Sequence, residues 1–392
     1  MSMYDEQQIN VSNRKFSFGE LPDDILLDIA SYCDSTTLCR LSMVSRRFRK
    51  VFSSNCIWNR KRISHTIVGC SNETSVCKLN SKEKYRIELN IKKGKFKLKS
   101  VLKTKEIHLP WLQSNGNRLW MSLGSEIIGF QKIKNGCVRE DQIFRGHNED
   151  VTRFVCKDEK LYSVSRDKSM ACFNASTADL LWRKENCHAA DILCISVAKD
   201  TICTGSEDGV LKIWKSSNIE KKVQFNLNDR ILSNSFIDDH IVCGTSYLNY
   251  ALSPLTIWNL EKEILLGFLG SNNRKGAGIL AIRNYDDNSI LTGGYDTYVR
   301  FWDTRSAWTK PILEFSDPFD SFVYSLQTDG DNAIAVGLSN HARISLWDRR
   351  YTKKPMQYFF TVKRKTPVFS LELDYRYTYV AIDRGLYLMD FD

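Results

Sequence analysis

Residues 187–227, CHAADILCISVAKDTICTGSEDGVLKIWKSSNIEKKVQFNL, carry the pattern that decides the architecture. Residues 192–198 form a short apolar run, the length of a buried strand, and residues 202–206 form a second. Glu207-Asp208-Gly209 then reads as a tight turn, because glycine reaches positive φ without steric cost. Leu211, Ile213 and Trp214 belong to a third strand, and residues 222–227 alternate as an outer strand packed on one face. Short strands separated by turn residues, with no helical period, describe one small antiparallel sheet.

That unit recurs. An aromatic residue closes the equivalent strand at Phe130, Phe173, Trp214, Trp258, Trp302, Trp347 and Phe391, at intervals of 43, 41, 44, 44, 45 and 44 residues. The parallel segments are SVSRDKSMACF at 163–173, TGGYDTYVRFW at 292–302 and VGLSNHARISLW at 336–347. A period of about 40–45 residues ending in such a strand is the mark of a four-stranded propeller blade. Seven endings predict a mainly β chain with a seven-bladed β-propeller over residues 94–392. The seventh blade's third strand, 386–391, reaches almost to Asp392, so its fourth strand is expected from ahead of the first blade. Residues 94–104 alternate lysine with apolar residues, which suits an outermost strand with one buried face.

The chain's beginning is punctuated differently. No Gly or Pro occurs between Asp23 and Val68, whereas residues 107–392 hold seventeen of the twenty Gly and six of the seven Pro. Leu21-Pro22-Asp23-Asp24 starts a helix: proline suits a first turn, and the aspartates complement the positive end of the helix dipole. Ile25, Leu26 and Ile29 share one face. Residues 34–37 offer caps for a second helix, whose stripe is Leu38, Leu41, Val44, Phe48 and Val51. So few residues cannot bury that much apolar surface alone, so the stripe packs on the rest of the chain or on a partner's helices. Residues 1–17 read as a disordered tail, 18–62 as a small all-α motif and 63–93 as a partly helical linker.

The run LPDDILLDIASYCDSTTLCRLSMVSRRFRKVFSSNCIW resembles an F-box, and the β region resembles the WD-repeat family. The strings LPWL at 109–112, SPLTIW at 253–258, GYDTYVRFWD at 294–303, LQTDG at 326–330 and LWDRR at 346–350 extend the similarity to F-box/WD-repeat proteins over essentially the whole chain. The resemblance implies a non-catalytic substrate-recognition subunit of a Skp–cullin–F-box ubiquitin ligase. Leu21, Pro22, Ile25, Leu26, Ile29, Leu38, Leu41 and Val44 would contact the Skp adaptor and, through it, the cullin. The propeller would hold an unidentified substrate protein. Candidate contacts at turns and inner-strand starts are Arg153, Arg166, Arg230 and Tyr295, arginine because its fork donates paired hydrogen bonds to carboxylate or phosphate. WD repeats also carry an internal His–Ser/Thr–Asp–Trp network. His188, Thr204, Asp208 and Trp214 fill all four places, and His147, Ser163 and Asp167 fill three, with Phe173 in the fourth.

Two rival readings remain open. Trp302-Asp303-Thr304-Arg305 and Trp347-Asp348-Arg349-Arg350 fit a WDxR pattern by which receptors of a different cullin ligase dock, which would make Arg305 and Arg350 the adaptor contacts. A non-ligase propeller scaffold is the other. The His–Ser/Thr–Asp sets imitate a hydrolase triad, but their recurrence around a repeat and their aromatic wall fit a structural network.

Composition bounds the rest. Hydrophobic residues are 42% and charged residues 26% of 392, ordinary for a globular chain. Residues 78–105 hold eleven Lys or Arg against two Glu, which leaves one of the ten net positive charges to everything else. Charge so confined argues against a nucleic-acid partner. No apolar stretch is long enough for a membrane span and no secretory signal opens the chain, so a cytoplasmic or nuclear location is expected, with the twelve cysteines reduced. Phosphate-loop, dinucleotide, zinc-protease and nucleophile-elbow motifs are absent from the sequence, and no cofactor or metal is expected.

Overall fold

The computed structural model describes residues 18–63, 79–133, 136–248, 253–270, 276–306 and 309–392. It divides into a helical unit and a β unit. The expected tail and much of the expected linker lie outside the described residues.

The helical unit contains α1 (Asp23–Tyr32), α2 (Ser35–Val44), α3 (Arg46–Phe52) and α4 (Asn55–Ile63). Its core joins Leu26, Ala30, Leu38, Phe48, Val51, Phe52, Ile57 and Trp58. Asp34 caps α2 by accepting from the backbone N–H groups of Thr36 and Thr37. The stripe expected to run unbroken from Leu38 to Val51 is interrupted. Ser45 takes an extended backbone, ends α2 and caps α3 by accepting from the Phe48 N–H at 3.1 Å. Pro22 stands just outside α1, at its cap position rather than in its first turn. Arg47 secures that entry: its guanidinium donates to the carbonyls of Gly19 and Leu21 and to the Asp23 carboxylate at 2.5, 2.5 and 2.7 Å. A further helix, α5 (Ser81–Lys92), gives residues to each unit. In the helical unit its Tyr85 ring lies 5.2 Å from Trp58.

The β unit is a seven-bladed propeller of seven four-stranded antiparallel sheets. Inner strands run Leu112–Asn115, Val151–Lys157, Ile192–Ala198, Ile231–Ile237, Ile279–Asp286, Val323–Thr328 and Val368–Leu373 in blades 1 to 7. Blade 3 places its other strands at Thr201–Ser206, Val210–Lys215 and Lys221–Asn226, with Gly209 at φ +75° in the turn. Cores form between neighbouring blades: Phe144 of blade 1 meets Phe173 of blade 2 edge-on at 5.6 Å, and Phe225 of blade 3 meets Trp258 of blade 4 at 4.4 Å. Close approach requires the absence of a side chain at Gly293, where a Cβ would come within 2.5 Å of Val323 in the next blade.

Blade 7 takes its outer strand from the chain's earlier part. Lys97–Lys103 pairs antiparallel with Gly385–Asp390, Lys99 opposite Leu388. Phe96 packs on Phe359 and Phe391, and Asn90 donates to the Phe391 carbonyl at 2.9 Å. The end of the basic segment is thereby an edge strand on which Lys97 and Lys103 face solvent and Lys99 is half-buried.

Candidate functional site

Two surfaces and one buried network are candidates. On the helical unit, several apolar side chains remain uncovered by the unit's own core: Ile25 is exposed, as are Tyr32 (90%), Met43 (70%) and Val44 (68%). Leu21, Ile29 and Leu41 are half-buried and Pro22 is exposed. Leu26 and Leu38 correct the sequence reading. Both are fully buried in the core, so they hold the helices together and offer nothing to a partner. Tyr32 and Met43 were missed. Tyr32 closes α1 and Met43 lies in the last turn of α2, both off the side that faces the core.

On the propeller, antiparallel alternation puts the second-to-third strand turns and the blade-to-blade loops on one face. Arg166, Arg230 and Tyr295 lie there, in the blade 2 turn, the loop entering blade 4 and the blade 5 turn. Arg230 approaches Glu207 at 3.9 Å, and Tyr295 stacks edge-on against Phe322 at 5.5 Å. Arg153 does not join them. It sits midway into the inner strand of blade 2, its guanidinium 4.1 Å over the Trp111 ring and donating to the Thr152 carbonyl at 3.1 Å. Burial lowers its pKa to about 10. Arg153 lines a cavity of about 270 Å³ among the inner strands, together with Gln113, Ser196, Asn234 and Arg283. Arg305 and Arg350 occupy equivalent turns on the opposite face of blades 5 and 6. Each fork grips its own turn's carboxylate, Arg305 on Asp303 at 2.7 and 3.0 Å and Arg350 on Asp348 at 2.6 and 2.9 Å. Those bonds hold Asp303 down to about pKa 2.

The network of blade 3 runs in one proton order. The Trp214 indole donates to Thr204 Oγ1 at 2.9 Å, Thr204 to His188 Nε2 at 2.8 Å, and His188 Nδ1 to Asp208 at 3.1 Å. Asp208 also accepts from the backbone of Ala189 and Val210. Burial pushes the His188 pKa down to about 4 despite the carboxylate, so the ring is neutral and this tautomer satisfies every partner. The imidazole has no solvent exposure, which leaves no room for a substrate. In blade 2 the expected direct pairing is replaced by a relay: His147 meets Ser163 and Ser169, each at 2.7 Å, and Ser169 donates to Asp167 at 2.5 Å. Trp302 retains the indole bond to Thr292 in blade 5. Trp258 and Trp347 turn theirs to Thr256 and Ser345 of their own strands, because Cys243 and Val336 stand where the hydroxyl would be. Among the described residues no group of His, Cys, Asp and Glu could hold a metal ion, and no helix is long and apolar enough to cross a membrane.

The F-box-like family model matches residues 18–64, and the WD domain, G-beta repeat model matches residues 182–215 and 269–303. The chain is 30% identical to the F-box/WD repeat-containing protein 4 of Mus musculus, over 95% of this chain and 92% of that protein. Against the protein of the same name from Homo sapiens it is 31% identical, with the same coverage. A probable E3 ubiquitin ligase complex SCF subunit, sconB of Aspergillus oryzae, is 22% identical over 51% of this chain and 29% of its own length. Among solved structures, that of U3-55K aligns with a TM-score of 0.62 at 12% identity, over 75% of this chain and 98% of that one, which supports the propeller fold alone. With a relative matched at 30% identity along nearly its full length, and both family models in the expected order, the chain belongs to the F-box/WD repeat-containing protein family.

Proposed function

We propose that this chain is the substrate-recognition subunit of a Skp–cullin–F-box ubiquitin ligase. The observation that carries the reading is the exposed Ile25, Tyr32, Met43 and Val44 on a unit whose own core is already complete with Leu26, Leu38, Phe52 and Trp58. Exposed apolar side chains beside a finished core are what a docking helix pair presents to a partner. The propeller then offers its loop face, with Arg166, Arg230 and Tyr295, to the protein to be modified. The chain supplies proximity: holding adaptor and substrate together raises the effective concentration of the substrate's lysines at the ligase's transfer centre, and no nucleophile of its own is required. Co-expression of the full chain with the Skp adaptor tests the reading. A stable stoichiometric complex supports it. Failure of the two to co-purify removes it and favours a scaffold that works through the propeller alone.

A further inference from the structure

We propose that the substrate docks off the propeller axis, on an aromatic shelf with a basic rim over blades 5 to 7, and that it presents an extended unmodified segment with a bulky apolar side chain beside several carboxylates. This rests on the reading of the chain as a substrate receptor and names the class of substrate.

The shelf is built by the fold. In blades 2 to 7 the inner strand carries a register shift at the same place, two residues in. Such a bulge frees one residue from the ladder and re-aims its side chain. In blades 2 to 5 the freed residue is Thr152, Leu193, Leu232 and Leu280. In blades 6 and 7 it is Tyr324 and Phe369, whose rings meet edge-on at 5.5 Å and stay half-buried. Tyr295 meets Phe322 in the same geometry at 5.5 Å, and both rings are partly open to solvent. Phe322 and Tyr324 stand two residues apart where the chain enters the blade 6 inner strand, so one short segment contributes a ring to each pair. Hydrogen bonds fix the loops beneath: the Phe322 N–H donates to Ser339 Oγ at 3.2 Å, and the Ala342 N–H to the Thr366 carbonyl at 2.8 Å.

The rim follows immediately in sequence and space. The loop entering blade 7 carries exposed Lys363 and Lys365, and its Arg364 pairs with Asp383 at 2.5 Å. The Asp383 carbonyl accepts from the His108 N–H and the Arg384 carbonyl from the Thr104 N–H, which brings exposed Arg384 and Lys105 beside them. Among the described residues, the acids on these loops are Asp383, already paired, and Glu106, while the loop entering blade 6 adds Asp317, paired with Arg343, and exposed Asp320. Across the face the balance reverses: the loops of blades 2 to 4 carry Glu149, Asp150, Glu185, Asp191, Glu207 and Asp229 against Arg166, Lys168 and Arg230. A segment with acidic residues is therefore attracted to one side of the face and repelled from the other, while rigid half-buried rings give its apolar residue a low-entropy seat. Carboxylates suffice for a rim of separate lysines; a phosphate would call for convergent forks, and Arg364 is already engaged.

The test is selection of a phage-displayed library of random, unphosphorylated twelve-residue peptides on the purified full chain, followed by anisotropy titration of the best synthetic peptide. The enriched peptides should pair a Phe, Tyr, Trp or Leu with at least two nearby Asp or Glu. Binding should weaken about tenfold or more in Tyr295→Ser/Phe322→Ser and in Lys363→Glu/Lys365→Glu, and fall with added salt. The lysine pair is fully surface-borne, so its melting temperature should match the parent even if the aromatic pair is less stable. No enrichment, enrichment of basic peptides, or unchanged binding in both variants overturns the proposal. Co-purification of the Skp adaptor is read in parallel. Adaptor bound without acidic–apolar peptides leaves the receptor and removes the shelf, whereas the reverse keeps the shelf and removes the receptor.

Discussion

The Lys99 ammonium lies 3.2 Å from the Asp390 carboxylate, a bond between residues 291 positions apart that sits on the strand closing the ring. Asp390 is nearly inaccessible and also accepts from Arg376 at 3.0 Å. Each blade packs on two neighbours, so an absent outer strand would expose the edge at Gly385–Asp390 as well as the Phe96 contacts with Phe359 and Phe391. Deleting residues 97–103 should lower the melting temperature of the full chain by 10 °C or so, in keeping with a loss of several kcal/mol. Asp390→Ala should cost about 1 kcal/mol, because it removes two ion pairs while Arg376 keeps Asp392 at 2.7 Å and Lys99 remains solvated. An unchanged thermal melt in the deletion would mean that the seam closes by some other route.

His188 should make stability fall as the pH is lowered. Its pKa is depressed from 6.5 to about 4 in the folded chain, so the unfolded chain takes up its proton first. Its contribution is complete above 6.5 and is lost progressively down to 4. The lowered Asp208 and Asp167 act in the same direction but below 3.8. Thermal melts from pH 7 to 4 for the parent and for His188→Gln isolate the histidine: the parent's curve should be the steeper between 6.5 and 4. Parallel curves would show that the imidazole is not buried and neutral.

The blade 3 network should behave as structure. Trp214→Ala should cost about 3–5 kcal/mol as a truncated core aromatic. His188→Ala should cost about 1–3 kcal/mol by orphaning Thr204 and Asp208. In blade 2, Ser169→Ala should cost about 1–2 kcal/mol, since it breaks the relay from His147 to Asp167. Denaturant titration measures all three. A silent Ser169→Ala would mean that His147 reaches Asp167 directly.

Arg305 and Arg350 should matter little to partners, because each fork is already spent on its own turn. Arg305→Ala with Arg350→Ala should leave Skp-adaptor binding within a factor of two and the thermal melt close to the parent's, as expected of exposed pairs. Loss of a cullin-ligase assembly in that variant, with Skp binding intact, would favour the rival docking mode.

The blades were legible because their signal is redundant: seven aromatic endings at one spacing, and a turn glycine at Gly209 where backbone geometry demands it. The complete tetrad was legible for the same reason, since His188, Thr204, Asp208 and Trp214 hold fixed offsets within one repeat. What escaped depends on contacts between repeats or on helix phase. Ser169 entered the blade 2 network because its hydroxyl lies between two groups the sequence places at their usual offsets. Ser45 cut a continuous apolar stripe between α2 and α3, and the packing of α1 and α2 on the unit's core left Leu26 and Leu38 inside and Tyr32 and Met43 outside. Arg153 read as a surface fork, yet Trp111 of the neighbouring blade draws it inward. The Tyr324–Phe369 contact needs two bulges in different blades, which no single repeat announces.

Helix-unit substitutions of two kinds separate docking from folding. Leu26→Ala removes a fully buried core side chain and should destabilise the helical unit by about 2–5 kcal/mol. Met43→Glu with Val44→Glu changes side chains that are 70% and 68% exposed, so it should leave the thermal melt unchanged. Quantitative co-purification of the Skp adaptor with the Met43→Glu/Val44→Glu chain is the decisive measurement. Binding reduced at least a hundredfold at an unaltered melting temperature is the predicted result. Adaptor binding equal to the parent's would contradict it and would move the docking surface off these helices.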